Sequence, residues 1–382
     1  MATRHPPAVP RLATTPPVSG AWSLGVAAPG QPAFFPLADA EPADRGFRVD
    51  TVYSGLSAGT ELSYLKGSNP YLRAAFDPEY RVFDGEDEAA QPYPITSMGY
   101  MEVGRVVDSR HPGVTPGDLL AMRYGHANRH TAEGDAFRVL LPPSLPPVLG
   151  VYVAHMGPIC ANGLLHAAAE VRGVDVERLG DGVAGQNVLV VGAGVVGLLT
   201  ALFARHLGAA EVAVADPTPE RLAAAEALGI VPIDEASTPA WRWCKDRWVH
   251  AAGDRGADVA FQCRGRSGAL AEALRALRPQ RAVVDLAFYQ GGADDLRLGE
   301  EFHHNGLSVR CAQISRVPRG LGATWPRERL AAETVGLLEA HGAAIRRALV
   351  TDVVPIADAP AALLDVAERR RHALTLVFDF AS

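Results

Sequence analysis

Amide groups positioned to hold phosphate are the first chemistry legible in this chain. In Asn187-Val-Leu-Val-Val-Gly-Ala-Gly-Val-Val-Gly197 an apolar run enters Gly-x-Gly-x-x-Gly, and an apolar periodic stretch follows over 198–207. That order suits a buried parallel strand, a tight turn and a helix start. Gly192 permits the turn, Gly194 lets the main chain approach a pyrophosphate, and Gly197 lets the helix lie close on the strand. Amides of the first helical turn, around Val195 and Val196, then hold the phosphates, helped by the positive end of the helix dipole. A second apolar run, Glu211-Val-Ala-Val-Ala215, ends in Asp216, roughly 20 residues past the glycines, where a carboxylate can accept bonds from both hydroxyls of an adenosine ribose. The ligand this set predicts is a dinucleotide. An acid at that position repels a 2′-phosphate, so NAD(H) is expected ahead of NADP(H). Arg221, about one helical turn further on, is either a phosphate contact or a solvated charge on an outer helix face.

These groups need a parallel sheet to position them, and the periodicity supplies one. Strands are expected at 187–191, 211–215, 258–262 and 281–287, with helices near 195–208, 218–228 and 267–277 between them. A helical stretch over 151–171 precedes the set. The earlier region reads differently: Phe47-Arg-Val-Asp-Thr-Val-Tyr53 roughly alternates, and a strand over 99–107 is joined to Leu119-Leu-Ala-Met122 by a Pro/Gly turn. Short strands between such turns suggest a small barrel-like domain. The stretch 66–94, rich in Asp, Glu, Pro and aromatics, reads as an irregular excursion. Past residue 309 a helix is expected over 327–338, then strands at 350–355 and 375–378 around a helix at 360–369, a tail that rejoins the first domain.

Bulk properties narrow the classes. At 382 residues there is room for two domains with separate cores. A net charge of −7 without a basic cluster argues against nucleic acid and anionic membranes as partners. No apolar run reaches the roughly 18 residues a membrane span needs. Residues 1–20 lack the apolar core of a signal peptide and read as a disordered leader. Cys160, Cys244, Cys263 and Cys311 are widely separated, which beside a nucleotide site favours reduced thiols and a cytoplasmic protein.

The order of motifs resembles the medium-chain dehydrogenase/reductase superfamily over nearly everything after residue 45. Ser57-Ala-Gly-Thr-Glu61, Gly99-Tyr-Met-Glu-Val-Gly104, Pro116-Gly-Asp118, the glycine turn and Phe261-Gln-Cys-Arg-Gly265 carry the likeness, while 302–313 looks closest to a subgroup with bacteriochlorophyllide dehydrogenases. The resemblance implies an α/β protein in which a Rossmann doubly wound parallel sheet accompanies a GroES-like β-rich catalytic domain. The expected division is 21–150 catalytic, 151–315 dinucleotide-binding and 316–382 returning to the catalytic domain. It also implies hydride transfer between a nicotinamide and an alcohol, ketone or conjugated enone, and a homodimer or homotetramer. Cys263, Arg264, Leu286 and Ala287 are expected to line the nicotinamide half, with Cys263 a wall residue. Cys160 reads as core.

Departures from the family pattern matter as much. Zinc-dependent members have Cys-Gly-Thr-Asp where this chain has Ala58-Gly-Thr-Glu61, and Gly-His-Glu where it has Gly99-Tyr-Met101. Neither Ala nor Met offers zinc a ligand of the usual kind, so no zinc is expected. A route back would use His126 and His130, four apart, with His155 or Cys160 as a third ligand, although the surrounding sequence reads as loop or strand. Without metal, a proton donor or fixed dipole must meet the alkoxide or enolate. Tyr100 is the first candidate acid, with an aromatic core residue as the alternative. Glu61 is either a polar relay or an acceptor for nearby amides, the second being favoured. His126 is a candidate proton shuttle, and Tyr64 a weaker donor. Paired His303-His304 reads as surface. Three functions remain open: a zinc-free oxidoreductase, a zinc alcohol dehydrogenase with rearranged ligands, and a nucleotide-binding protein without catalysis.

Overall fold

The computed structural model describes residues 13–84 and 91–381. Strands β1 (Trp22–Ala28) and β2 (Gln31–Pro36) form an antiparallel hairpin. Phe34 donates a backbone bond of 2.8 Å to Ala13, so the stretch read as a leader over 1–20 is tied to β2 from residue 13; residues 1–12 lie outside the described residues. Strand β3 (Phe47–Gly55) buries Phe47, Val49 and Thr51 and leaves Arg48, Asp50 and Val52 half-exposed, the period of two that a half-buried strand requires. Helix α1 (Ala58–Leu65) follows. Within the excursion over 66–94, β4 (Ala75–Phe76) and β5 (Phe83–Asp84) make a minimal hairpin, and 85–90 lie outside the described residues.

Strands β6 (Glu102–Ser109), β7 (Leu119–Met122), β8 (Arg129–Ala132) and β9 (Val139–Leu140) complete this region. The strand expected over 99–107 starts three residues late for a local reason. Gly99 holds φ at +106°, a left-handed conformation that breaks an extended run. A Cβ there would stand 2.9 Å from Glu102 Oε1 and from the His126 ring. Tyr100 therefore sits on a bend ahead of β6.

The α/β region opens with α2 (Met156–Arg172) and continues as β10 (Asn187–Val191), α3 (Val195–His206), β11 (Glu211–Asp216), α4 (Pro219–Ala227), β12 (Val231–Asp234) and α5 (Ala240–Arg247). A short hairpin of β13 (Val249–Ala251) and β14 (Asp254–Arg255) then leads to β15 (Ala257–Gln262), α6 (Ser267–Ala276), β16 (Leu277–Asp285) and β17 (Ser308–Cys311). The larger strands form a parallel sheet in the order β12-β11-β10-β15-β16-β17. Helices on both faces explain why β10 is apolar throughout, Val188 to Val191 being fully buried. Strand order reverses beside β10, and such sheets bind ligands at the carboxyl ends of the strands at that point. Strand β16 stops at Asp285, whose Oδ1 accepts the Ala287 amide at 2.9 Å, so Leu286 and Ala287 lie past the strand, on the crevice side.

Helix α7 (Arg327–Ala348) runs a further ten residues beyond the 327–338 expected. Its buried stripe of Leu330, Leu337, Leu338, Ile345 and Ala348 continues that far, each Leu or Ile stabilising the fold by about 1.5–3 kcal/mol. Strand β18 (Val350–Pro355), helix α8 (Ala359–Ala367) and strand β19 (Thr375–Asp379) end the chain. Because β19 pairs with β3, the order of the first large sheet is β18-β19-β3-β6-β7-β9, with β8 also on β3. One core joins the two sheets, from Met101 and Val103 through Leu164 and Leu198 to Leu337.

Candidate active site

At the nucleotide end the turn is closed by glycines. Gly192 adopts φ +104°, and a Cβ on Gly197 would collide with the Gly192 carbonyl oxygen. Gly194 has nothing near the position a Cβ would take, so its face is open. As the N-cap of α3 it supplies no capping side chain, which leaves the amides of Val195, Val196 and Gly197 without a side-chain acceptor at the positive end of an apolar helix. That is a phosphate cradle. Asp216 is 1% exposed; its Oδ2 accepts the Ala193 amide and its Oδ1 the Thr218 amide, both at 2.9 Å. These bonds fix the carboxylate and leave each oxygen one lone-pair direction for a hydroxyl. Arg221 Nη1 stands 3.6 Å from Asp216 Oδ2 and stays largely exposed.

Opposite the turn, Arg264 lies against Gly192 and its Nη1 meets Glu235 Oε2 at 2.6 Å. Glu235 had no motif to announce it; it follows β12 and reaches Arg264 only through the sheet order. Cys263 donates its amide to Val191 at 2.9 Å. Burial pushes its thiol well above the ordinary range, and burial likewise raises the Cys160 thiol to about 12. Neither is a thiolate near neutral pH. Leu286 packs against Gly163 of α2, where a Cβ would come within 2.8 Å of its side chain, so the end of β16 and the middle of α2 form one wall.

At the catalytic end four side chains converge. The Tyr100 hydroxyl hydrogen-bonds Ser57 Oγ and lies 3.3 Å from Thr60 Oγ1. Its ring packs on His155 with centroids 4.2 Å apart. Burial, only partly opposed by the Ser57 and Thr60 hydrogen bonds, raises the phenol to about 12, so it is protonated across the working range. Burial, with Arg327 and Arg123 nearby, lowers His155 to about 3, leaving it neutral.

Glu61 and His126 sit behind this group. His126 is fully buried and Glu61 2% exposed. His126 Nε2 meets Glu61 Oε2 at 2.6 Å, and its Nδ1 meets Ser54 Oγ at 2.5 Å and approaches Glu102 Oε1 at 4.0 Å. Both ring nitrogens are occupied, so the shuttle read for His126 has no free nitrogen to offer a substrate. Glu61 Oε1 accepts the Ser57 amide at 2.8 Å. The contact runs through the Ser57 backbone, whereas Tyr100 touches the Ser57 hydroxyl, so no continuous line of exchangeable protons joins Glu61 to Tyr100. Glu61 and His126 thus position Ser57, and Ser57 positions Tyr100. Tyr64 is engaged elsewhere, with Gln91.

A zinc ion does not fit the residues present. Ala58 carries no donor atom, Tyr100 is held protonated, and His155 Nδ1 is taken by Arg327. His130 lies on β8 and stacks on Tyr124 with centroids 4.5 Å apart, so it shares no helix face with buried His126. His303 and His304 are exposed. Among the described residues no group of three or more His, Cys, Asp or Glu side chains is placed to hold a metal.

Comparisons with known proteins agree with this architecture. A family model described as zinc-binding dehydrogenase matches residues 195–324. The D-guloside 3-dehydrogenase of Shigella flexneri is 26% identical over 313 residues, which span 79% of this chain and 83% of that protein. The crystal structure of galactitol-1-phosphate dehydrogenase from Escherichia coli superposes with a TM-score of 0.71 at 15% identity, covering 94% of this chain and 99% of the other. That of 2R,3R-butanediol dehydrogenase from Bacillus subtilis does so with a TM-score of 0.70 at 16% identity and the same coverage. Superpositions at such identities establish the fold, a GroES-like unit beside a Rossmann sheet. With the glycine turn, the family match over 195–324 and the extended similarity to a named dehydrogenase, the chain is similar to the medium-chain dehydrogenase/reductase superfamily in fold and in the order of its motifs.

Proposed function

We propose that this enzyme is an NAD(H)-dependent, zinc-independent oxidoreductase acting on a small organic alcohol–ketone pair or a conjugated enone. The observation that carries the reading is the Tyr100 phenol, hydrogen-bonded to Ser57 and packed at a tilt on His155, in place of a metal donor. Bound nicotinamide supplies or accepts the hydride. Gly194, Val195 and Val196 bind the pyrophosphate, Asp216 orients the adenosine ribose, and Cys263, Leu286 and Ala287 wall the nicotinamide half. Tyr100 gives its proton to the oxygen that gains negative charge, and Thr60, partly exposed, returns a proton to Tyr100 from solvent. The excursion over 66–94, tied to α1 through Gln91 and Tyr64 and to the segment after β16 through Ser68 and Gln290, suits a specialised biosynthetic substrate.

The proposal extends to a division at 21–150, 151–315 and 316–382, to a homodimer through the edge of the Rossmann sheet or a homotetramer, and to the cytoplasm. No described helix is long and apolar enough to cross a membrane. Metal analysis of the purified protein separates the reading from a zinc enzyme with rearranged ligands: one tightly held zinc per chain refutes it. A second test is Asp216→Ala, expected to weaken NADH binding in fluorescence titration by about 10- to 100-fold through loss of charge-assisted hydrogen bonds. The same variant should narrow the preference over NADPH. An unaltered preference would remove Asp216 from the ribose site.

A further inference from the structure

Beside Tyr100 and His155 lie two arginines without counter-ions. Arg123 follows β7 and is exposed, and Arg327 opens α7 and is half-buried. Both guanidinium groups rest on the ring of Phe137, at 5.6 Å and 5.1 Å from its centroid. Arg327 Nη2 bonds the Ala154 carbonyl at 3.2 Å and meets His155 Nδ1. Its Nε is buried with no hydrogen-bond partner.

Neither arginine has a carboxylate within ion-pair distance among the described residues, unlike Arg129 on Asp50, Arg247 on Glu211, Arg264 on Glu235 and Arg278 on Asp258. Glu328 and Glu102 act on the two only at longer range, and burial lowers the pKa of both, Arg327 to about 10 with Arg123 as its next cause. Arg327, held partly out of water without a carboxylate and beside a second cation, is costly to keep charged. An incoming anion removes that cost, and a guanidinium fork matches a carboxylate or phosphate in shape.

We infer that Arg123 and Arg327 form an anion subsite, so that the substrate carries a carboxylate or phosphate on the His155 side of the carbon that reacts beside Tyr100. The inference rests on the reading of Tyr100 as proton donor, but anion binding can be measured without turnover. Phe137 sets the distance between the two cations, and neutral His155 accepts from Arg327 without cancelling its charge. The anion adds no step to the reaction. It anchors one end of the substrate so that the carbonyl meets Tyr100.

The test uses the whole protein saturated with NADH, so that the pyrophosphate site is filled. Acetate serves as carboxylate probe and inorganic phosphate as phosphate probe, with methyl acetate and glycerol as neutral controls, followed by NADH fluorescence. The expected result is a saturable response to one or both anions and none to the controls, the stronger anion naming the group. Arg327→Gln and Arg123→Gln should each weaken that response by about 10- to 100-fold with NADH affinity unchanged. Arg123 is exposed, so its variant keeps the test valid if Arg327→Gln folds poorly. A wild-type protein without a saturable anion response, or variants that respond as it does, overturns the subsite. If NADH itself fails to bind, the cofactor reading fails instead, and the same anions titrated into nucleotide-free wild type and variants by isothermal calorimetry decide the subsite.

Discussion

Replacing Tyr100 by Phe should lower kcat for carbonyl reduction by about 10²- to 10³-fold while leaving NADH affinity unchanged. The phenol is the one acid whose hydroxyl is shared with Ser57 and Thr60 in the cleft cluster, and Phe keeps the ring that packs on His155 while deleting the proton. Direction follows from acidity. With its pKa pushed up to about 12 by burial, Tyr100 is a weak acid, but an alkoxide is a base comparable to hydroxide and stronger than a phenolate. Donation is therefore downhill, and the donor form is present throughout neutral pH. Alcohol oxidation needs the phenolate, whose population grows tenfold per pH unit until the pKa is reached. Reduction should then be flat between about pH 6 and 9, and oxidation should climb steadily. A bell-shaped reduction profile centred near neutrality would assign the proton to another group, and Tyr100→Phe with wild-type kcat would remove Tyr100 from the chemistry.

Sequence carries the nucleotide end well because that end is local. One short segment holds the strand, the glycine turn and the helix start, and the collision that forbids a side chain at Gly197 is with Gly192 of the same turn. Tyr100 was legible by another route, standing where a metal ligand is replaced. What it touches was not. Its partner Ser57 is 43 positions away, Glu61 and Ser54 reach His126 across 65 and 72 positions, and Arg327 reaches His155 across 172. Such pairs depend on how β19 returns to β3 and how α7 packs on α2, which no local pattern encodes. The same gap explains the reading of His126. A histidine in a segment read as loop or strand suggests a titrating group, and only the packing of Glu61, Ser54 and Glu102 around it reveals that both nitrogens are used. Arg123 and Arg327 drew no notice because isolated arginines read as solvated charges until Phe137 is found beneath both.

Removing His126 should have the largest effect on stability. Its imidazole is fully buried between Glu61 and Glu102, themselves 2% and 0% exposed. Taking one partner from such a cluster leaves carboxylates uncompensated, at a cost of about 3–5 kcal/mol. His126→Ala should therefore lower Tm by on the order of 10 °C at mildly alkaline pH, read by circular dichroism. The wild-type pH trend has a definite sign. Burial pulls the His126 pKa down, but Glu61 and then Glu102 lift it above the ordinary histidine value of 6.5. Its contribution is thus fully present below 6.5 and fades as pH rises through the folded pKa. Burial raises Glu102 above 4.5 despite His126 and two amides, so the folded state also retains that proton longer and loses stability as pH climbs past 4.5. Both groups make the wild-type protein more stable at mildly acid than at alkaline pH. Below pH 6.5, where the imidazolium contribution is constant, Glu102 in His126→Ala is relieved only by protonation. The deficit should therefore shrink from pH 6.5 toward about pH 5, while above 6.5 both proteins lose stability and the deficit levels off. His126→Gln, which retains a donor for Glu61 without the charge, should fall between the two proteins at pH 8. Because Glu61 holds the Ser57 amide, the same variants should reduce kcat through misplacement of Tyr100 while leaving NADH binding intact. A His126→Ala protein as stable as wild type at pH 8 would mean that the imidazole is no counter-charge to this cluster at all.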